Sequence, residues 1–237
     1  MPRKYLGPLQ PGRRTAMVPK RRPARKKPVT TKNLTSLIKR VSLQNVETKR
    51  SAKYHEGVQL LHNVTRYYSA LLNTTQGDGN PDGANQYPGP RIGNEIIAKA
   101  LNFKFYLERD TGTGGSAHFK IIVFKYPSYY AIDDGRFWQG ASGAGGNNIL
   151  RIIDTIATNK ITVLKQVILR PHQFYTKELQ LYIPLKNKKI VYEDNNTTTP
   201  KDFNIGYAIV ACDKIGTAIT TQVAKMNVAW KFTFKDP

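Results

Sequence analysis

Near the C-terminus the stretch "KMNVAWKFTFKD" alternates strictly. Met226, Val228, Trp230, Phe232 and Phe234 fall on one side of an extended chain, and Lys225, Asn227, Lys231, Thr233 and Lys235 on the other. A helix would scatter a period of two around its circumference, whereas a strand sends alternate side chains to opposite faces. The stretch predicts a strand with one face in a core and the other wet or at an interface. "KELQLYIPL" repeats the pattern with Leu179, Leu181, Ile183 and Leu185, and "LNFKFYLER" repeats it with Leu101, Phe103, Phe105 and Leu107. Pro184 has no amide to donate, so it marks a sheet edge or a strand end.

The same reading places eight strands near 54–68, 95–108, 118–126, 161–170, 178–185, 189–193, 203–212 and 223–235. Between them lie turn-forming stretches such as "NTTQGDGNPDGANQYPGP", "DTGTGGSA" and "EDNNTTTPKD". Many strands joined by Gly/Pro/Asn-rich connections predict an all-β sandwich or barrel over residues 54–237. The longest connections exceed hairpin length and are the natural working surfaces of such a scaffold. One short inserted helix is predicted in "NNILRIIDTIATNK". Ile149, Ile152, Ile153 and Ile156 share a face there, and Asn147 or Asn148 can cap the first turn.

The N-terminus is built differently. The chain has 237 residues with 37 Lys+Arg against 16 Asp+Glu, a formal charge of +21. Thirteen of the cations lie in residues 1–46, ahead of the first carboxylate, Glu47: Arg3, Lys4, Arg13, Arg14, Lys20, Arg21, Arg22, Arg25, Lys26, Lys27, Lys32, Lys39 and Arg40. The rest of the chain carries the other +8 (21 − 13). Solubility does not require thirteen cations without an anion, and a block of like charge reads as a disordered interaction tail. Pro2, Pro8, Pro11, Pro19, Pro23 and Pro28 remove amide donors, which predicts an extended, mobile arm. After it, Leu34, Leu37, Ile38 and Val41 fall at i, i+3, i+4 and i+7, the spacing of a short basic amphipathic helix.

Phosphate neutralisation by Lys and Arg supplies affinity without sequence preference, so the arm predicts a nucleic-acid partner. A proline-broken arm holds no fixed base-reading geometry, so that binding should be sequence-blind. The pairs Tyr67–Tyr68, Tyr129–Tyr130 and Phe137–Trp138 are candidates for stacking on unpaired bases.

Signals for catalysis are weak. His55, His62, His118 and His172 have no partner at metal-ligand spacing on a shared helix face. Gly140, Gly143, Gly145 and Gly146 lack the GK[ST] of a phosphate loop and read more simply as turn residues. Asp133 and Asp134 adjoin in a turn without acid/base geometry. Asp78, Asn80, Asp82 and Gly83 match half of a calcium loop, but Gly89 stands where its closing Glu should be. No catalytic residue, metal ligand or cofactor is assigned. The one cysteine, Cys212, sits in an apolar run and reads as a buried, inert thiol. No stretch approaches the roughly 18 apolar residues of a membrane span, so no membrane insertion is expected. The charged N-terminus lacks the apolar core of a secretory signal, which points to a cytosolic or nuclear setting.

A basic arm followed by about 180 residues of eight strands with long loops resembles the capsid proteins of small icosahedral viruses. In "RIGNEIIAKALNFKFYL" an Arg-x-Gly-x-x-Ile lead into a long alternating strand, here Arg91, Gly93 and Ile96, is similar to coat proteins of circular Rep-encoding single-stranded DNA viruses, nanovirus-like and satellite coats. The arm mixes Lys, Arg and Pro where circovirus arms are dominated by Arg, which points to a relative of circoviruses.

The resemblance implies a single jelly roll of two four-stranded sheets and a T=1 shell of on the order of sixty copies, a homo-oligomer closed by loop and strand-end contacts. The arms would then point inward and place on the order of 780 cations against a packaged single-stranded genome, DNA favoured over RNA. Lys20, Arg21, Arg22, Arg25, Lys26 and Lys27 would double as a nuclear import signal read by an import receptor. The chain would work in the virion and the host nucleus, with a host-cell receptor as a further partner. The alternative is a cellular ribosomal or chromatin-associated nucleic-acid binder, which shares the arm but does not call for eight strands with large loops.

Overall fold

The computed structural model describes residues 31, 34–38, 41, 46, 48–76, 91–110, 117–139, 151–170, 175–193, 197–213 and 217–236. The chain divides into two compact units, Met1–Arg40 and Val41–Pro237. Of the predicted amphipathic helix, residues 31, 34–38 and 41 are helical. Thr35 Oγ1 donates to the Thr31 carbonyl one turn back, and Leu34, Leu37, Ile38 and Val41 are each about half exposed.

Among its described residues the second unit holds eight strands: β1 (Thr48–Leu61), β2 (Thr65–Tyr68), β3 (Glu95–Arg109), β4 (His118–Pro127), β5 (Thr162–Leu169), β6 (Thr176–Val191), β7 (Phe203–Cys212) and β8 (Gln222–Lys235). They form two four-stranded sheets, in the orders β1-β8-β3-β6 and β2-β7-β4-β5. Every strand pair is antiparallel. Apart from β4 to β5, each connection crosses from one sheet to the other, which is jelly-roll topology.

The first sheet behaves as the alternation predicts. Leu101, Phe103, Phe105 and Leu107 of β3 and Met226, Val228, Trp230, Phe232 and Phe234 of β8 are buried against the other sheet. Lys104, Tyr106, Lys225, Asn227 and Lys231 are exposed on the opposite face. Lys235 departs from the pattern: it is buried, and its Nζ donates to the Val46 carbonyl at 2.9 Å. β6 is an edge strand, which accounts for Pro184 within it.

The second sheet is covered on both faces. Phe119, Ile121, Val123, Ile205, Tyr207 and Ile209 join the inter-sheet core. Ile122, Phe124, Tyr126 and Ala208 pack on the far side against Phe137, Trp138 and Ile161. Every residue of β7 is buried as a result, so β4 and β7 read as apolar runs without a clean period.

Three local expectations are corrected. The single strand expected at 54–68 is two strands beginning at Thr48, broken at Asn63, whose φ is 57°. The two strands expected at 178–185 and 189–193 are one, β6. Lys186 (φ 53°) and Asn187 (φ 58°) form a bulge inside it, where the β3 register jumps from Ala98 to Ala100. The helix expected over 147–160 does not form in its described part. Residues 151–153 and 158–160 are turns, and Ile156 bridges to Trp138. Buried Lys120 of β4 holds the segment in another path, its Nζ donating to the carbonyls of Asp154 (2.7 Å) and Arg151 (3.3 Å), and Thr155 N, which would close a helical turn on Arg151, donates instead to Asp154 Oδ1 at 2.8 Å. The inserted helix is instead a single turn, Asp134–Phe137, capped by the Asp133 side chain on Arg136 N.

Candidate functional site

The register sets the two ends of the sandwich apart. Thr48 of β1 lies opposite Lys235, Lys235 opposite Ile97, and Ile97 opposite Lys189. In the second sheet Pro127 at the end of β4 lies opposite Phe203 at the start of β7. The long connections 69–94, 128–161 and 192–202 therefore leave from this end, and residues 1–46 join the body here. The opposite end carries the shorter connections 62–64, 110–117, 170–175 and 213–221.

Arg91 organises the arm-bearing end. Its side chain is fully buried. Nη1 donates to Gln76 Oε1 (3.0 Å), the Gly93 carbonyl (2.6 Å) and Asn94 Oδ1 (3.1 Å), and Nη2 donates to the Thr197 carbonyl (2.6 Å). Tyr192, beside the guanidinium, donates its hydroxyl to the Leu72 carbonyl and accepts from Thr74 Oγ1. Burial pushes the Tyr192 phenol up to about 12, against the Thr74 hydrogen bond and the Arg91 charge. Next to this hub, Asp236 accepts from Ile92 N and takes Lys49 Nζ at 3.1 Å. The Arg-x-Gly-x-x-Ile motif is thus a staple that ties two long connections and the chain end to β3. Ile96 is buried in the core, and a Cβ on Gly93 would meet nothing closer than 3.9 Å, so that glycine is not sterically required.

Cations crowd the same end. Lys49 and Lys189 have carboxylate partners, Asp236 and Glu95. The Lys99 ammonium is held below its usual range by partial burial and by Lys235. Lys125 of β4 and Lys188 of β6 both lie over the Phe203 ring, with Nζ 4.5 and 4.1 Å from its centroid. Of the cations expected to bind nucleic acid, Arg3, Lys4, Arg13, Arg14, Lys20, Arg21, Arg22, Arg25, Lys26, Lys27, Lys32, Lys39 and Arg40 all lie outside the described residues.

The aromatic pairs are mostly committed to packing. Phe137 and Trp138 are buried in the second core, and Trp138 Nε1 donates to Thr65 Oγ1 at 3.0 Å, so neither offers a face to a base. Tyr67 donates to Asp134 Oδ1 at 2.5 Å, and Tyr68 stacks on Tyr207 with centroids 4.8 Å apart. Burial, and then the hydrogen bond to Asp134, push the Tyr67 phenol far up. Tyr129 is 77% exposed and remains open to stacking. Sequence reasoning missed three others on the outer face of the first sheet, the exposed Tyr54, Tyr106 and Tyr182. Their signal is parity: each stands at the polar position of an alternating strand.

The titratable groups serve the fold. His62 is buried, and its Nδ1 accepts from Asp213 N at 2.9 Å, which requires the unprotonated ring nitrogen. His55 packs between Tyr68 and Trp230. Asp133 caps the helical turn and Asp134 holds Tyr67. Cys212 is free and buried, and burial pushes its thiol up. Among the described residues no three His, Cys, Asp or Glu side chains group as a metal site, and no helix is long and apolar enough to cross a membrane. His172, the glycines at 140–146 and the 78–89 stretch lie outside the described residues.

No protein-family model matches the chain, and no curated protein matches it. Among solved structures, a chain of desmodium yellow mottle tymovirus is 11% identical, with 81% of this chain and 89% of that one covered and a TM-score of 0.35. A chain of turnip yellow mosaic virus is 10% identical over 81% of this chain and 96% of that one, also at 0.35. One of cocksfoot mottle virus is 8% identical over 81% and 95%, again at 0.35. The fold assignment rests on the strand order rather than on these likenesses.

Proposed function

We propose that the chain is the coat protein of a small icosahedral virus. The jelly roll closes a shell with copies of itself, and residues 1–46 bind the packaged single-stranded genome, for which DNA is favoured over RNA. One observation carries the reading: a segment of thirteen cations and no acid is joined to the first strand of a jelly roll. A jelly roll protects most strand edges within the sandwich, which suits a subunit that meets its copies through loops and strand ends. The arm contributes affinity through counterion release, and no enzymatic step is assigned to the protein. In a T=1 shell of on the order of sixty copies, the arms share one interior. The Lys20–Lys27 cluster would serve nuclear import before assembly.

The test is the size and content of the purified protein. Sedimentation should give a megadalton particle with ultraviolet absorbance dominated by nucleic acid, against 26.7 kDa for one chain. A monomer that binds duplex or ribosomal nucleic acid would instead support the cellular alternative.

A further inference from the structure

The bulge in β6 does more than bend an edge strand. Leu181 and Ile183 point into the core before it, and Ile190 does so after it. Strict alternation from Ile183 would turn the even-numbered residues outward. The bulge at Lys186–Asn187 shifts the parity, so Lys188 pairs with the buried Ala98 and shares the inward side with Ile190. On the other sheet Lys125 follows Phe119, Ile121 and Val123, the core-facing residues of β4. Both lysines therefore face inward where the sandwich opens, and Phe203 closes the core beneath them. Their ammonium groups share that one ring, with Nζ 4.5 and 4.1 Å from its centroid. Among the described residues no carboxylate comes within 4.0 Å of either. Burial and then Lys188 hold Lys125 below its usual range, opposed by Asp202.

We propose that Lys125 and Lys188 form an anion site over Phe203 that takes a phosphoryl group, one oxygen to each ammonium. The phosphate is that of the packaged strand, which rests on the coat-protein reading, because the site lies at the end of the sandwich where residues 1–46 join. A phosphodiester has two unbridged oxygens on one atom and can answer two converging ammonium groups at once. The arm would gather the strand, and this site would fix a phosphate against the folded body.

The test compares the full-length protein with Lys125→Gln, Lys188→Gln and the double variant, using Lys189→Gln as control. Lys189 is next in sequence but is bound to Glu95. Binding of a single-stranded oligonucleotide is measured against salt, where each lost phosphate contact should flatten the log–log slope by about 0.7. The double variant, which loses one phosphate contact, should flatten it by about 0.7, and the control should leave it unchanged. In parallel, inorganic phosphate is titrated against melting temperature. An unchanged slope with phosphate raising the melting temperature of the parent alone would keep the site but make free phosphate its ligand. Equal flattening by the Lys189 control, or no effect of the double variant in either assay, overturns the proposal. Particle size is scored separately, so a chain that forms no shell refutes the coat-protein reading while the phosphate titration still decides the site.

Discussion

The Arg91 guanidinium carbon lies 4.2 Å from the centre of the Tyr192 ring, fully buried, with its amines spent on acceptors from two long connections. Arg91→Ala would strand the carbonyls of Gly93 and Thr197 and leave a cavity against the ring. Each buried acceptor left unpaired costs about 1–3 kcal/mol. Arg91→Lys should recover little, because a single ammonium cannot span acceptors on both sides of the fork. Chemical denaturation of both variants should show losses of this size. Equilibrium stability within about 1 kcal/mol of the parent in either would mean that the hub is not a staple.

Trp230 and Lys231 are neighbours in β8 with opposite fates. Trp230 is 6% exposed, against His55 and Tyr207, while Lys231 is exposed on the outer face. Trp230→Ala should cost about 3–5 kcal/mol and yield insoluble or unassembled protein. Lys231→Ala should shift stability by no more than about 0.5 kcal/mol. Particle loss from the lysine variant at unchanged subunit stability would place the outer face of the first sheet in a subunit contact.

Gly206 marks a close approach within the second sheet. A Cβ there would stand 2.8 Å from Phe124 Cζ and 2.9 Å from the Tyr68 carbonyl oxygen, so ring and backbone would both have to give. Overpacking of this kind costs about 1–3 kcal/mol. Gly206→Ala should lower the midpoint of unfolding accordingly. A neutral result would require β2 to move away from β7 freely.

These contacts mark how far the sequence could be read. β3, β6 and β8 declare themselves through alternation because one face of their sheet meets a core and the other does not. β4 and β7 are recognisable as strands, but their inward faces are not, since a second core under Trp138 erases the period. The isoleucine spacing near 149–156 is helical in sequence, yet Lys120, distant along the chain, takes the carbonyls, and no local signal announces it. The "KNKK" stretch reads as a break because Lys186 and Asn187 adopt left-handed backbone. That the strand resumes with its parity shifted depends on pairing with β3. Lys125 and Lys188 meet only because of that shift, so their site is invisible in one dimension. The arm cations are legible as charge alone, and their role belongs to the proposal.

Two histidines predict how the body responds to acid. Burial holds His55 and His62 below the ordinary value of 6.5, helped at His55 by Lys53 and opposed at His62 by Asp213. As the pH falls the unfolded chain takes up these protons first, so unfolding gains protons and stability declines with pH. The contribution is complete above about pH 6.5 and is lost progressively as the pH drops from there toward the folded-state values. Protonation of His62 at Nδ1 also removes the acceptor for Asp213 N. The melting temperature should fall between about pH 7 and 5.5, and His62→Gln should flatten that slope. A melting temperature that is level or rises over this window would show that the histidines are not linked to unfolding.

The arm and the body should separate. The first described strand begins at Thr48, so deleting residues 1–30 removes none of the described strands and none of the described core residues. The deletion does remove ten of the thirteen arm cations, all but Lys32, Lys39 and Arg40. The truncated chain should fold with unchanged stability, and its particles should lose most of their nucleic acid. An arm peptide of residues 1–46 should bind unrelated single strands alike at any one salt concentration. If about half of its cations touch phosphate, the slope of log K against log salt should be near −4 to −5, at about −0.7 per contact. A strong preference for one sequence would contradict an arm that acts by charge alone. Particles of the truncated protein that still carry a normal nucleic acid load would assign packaging to the folded body instead.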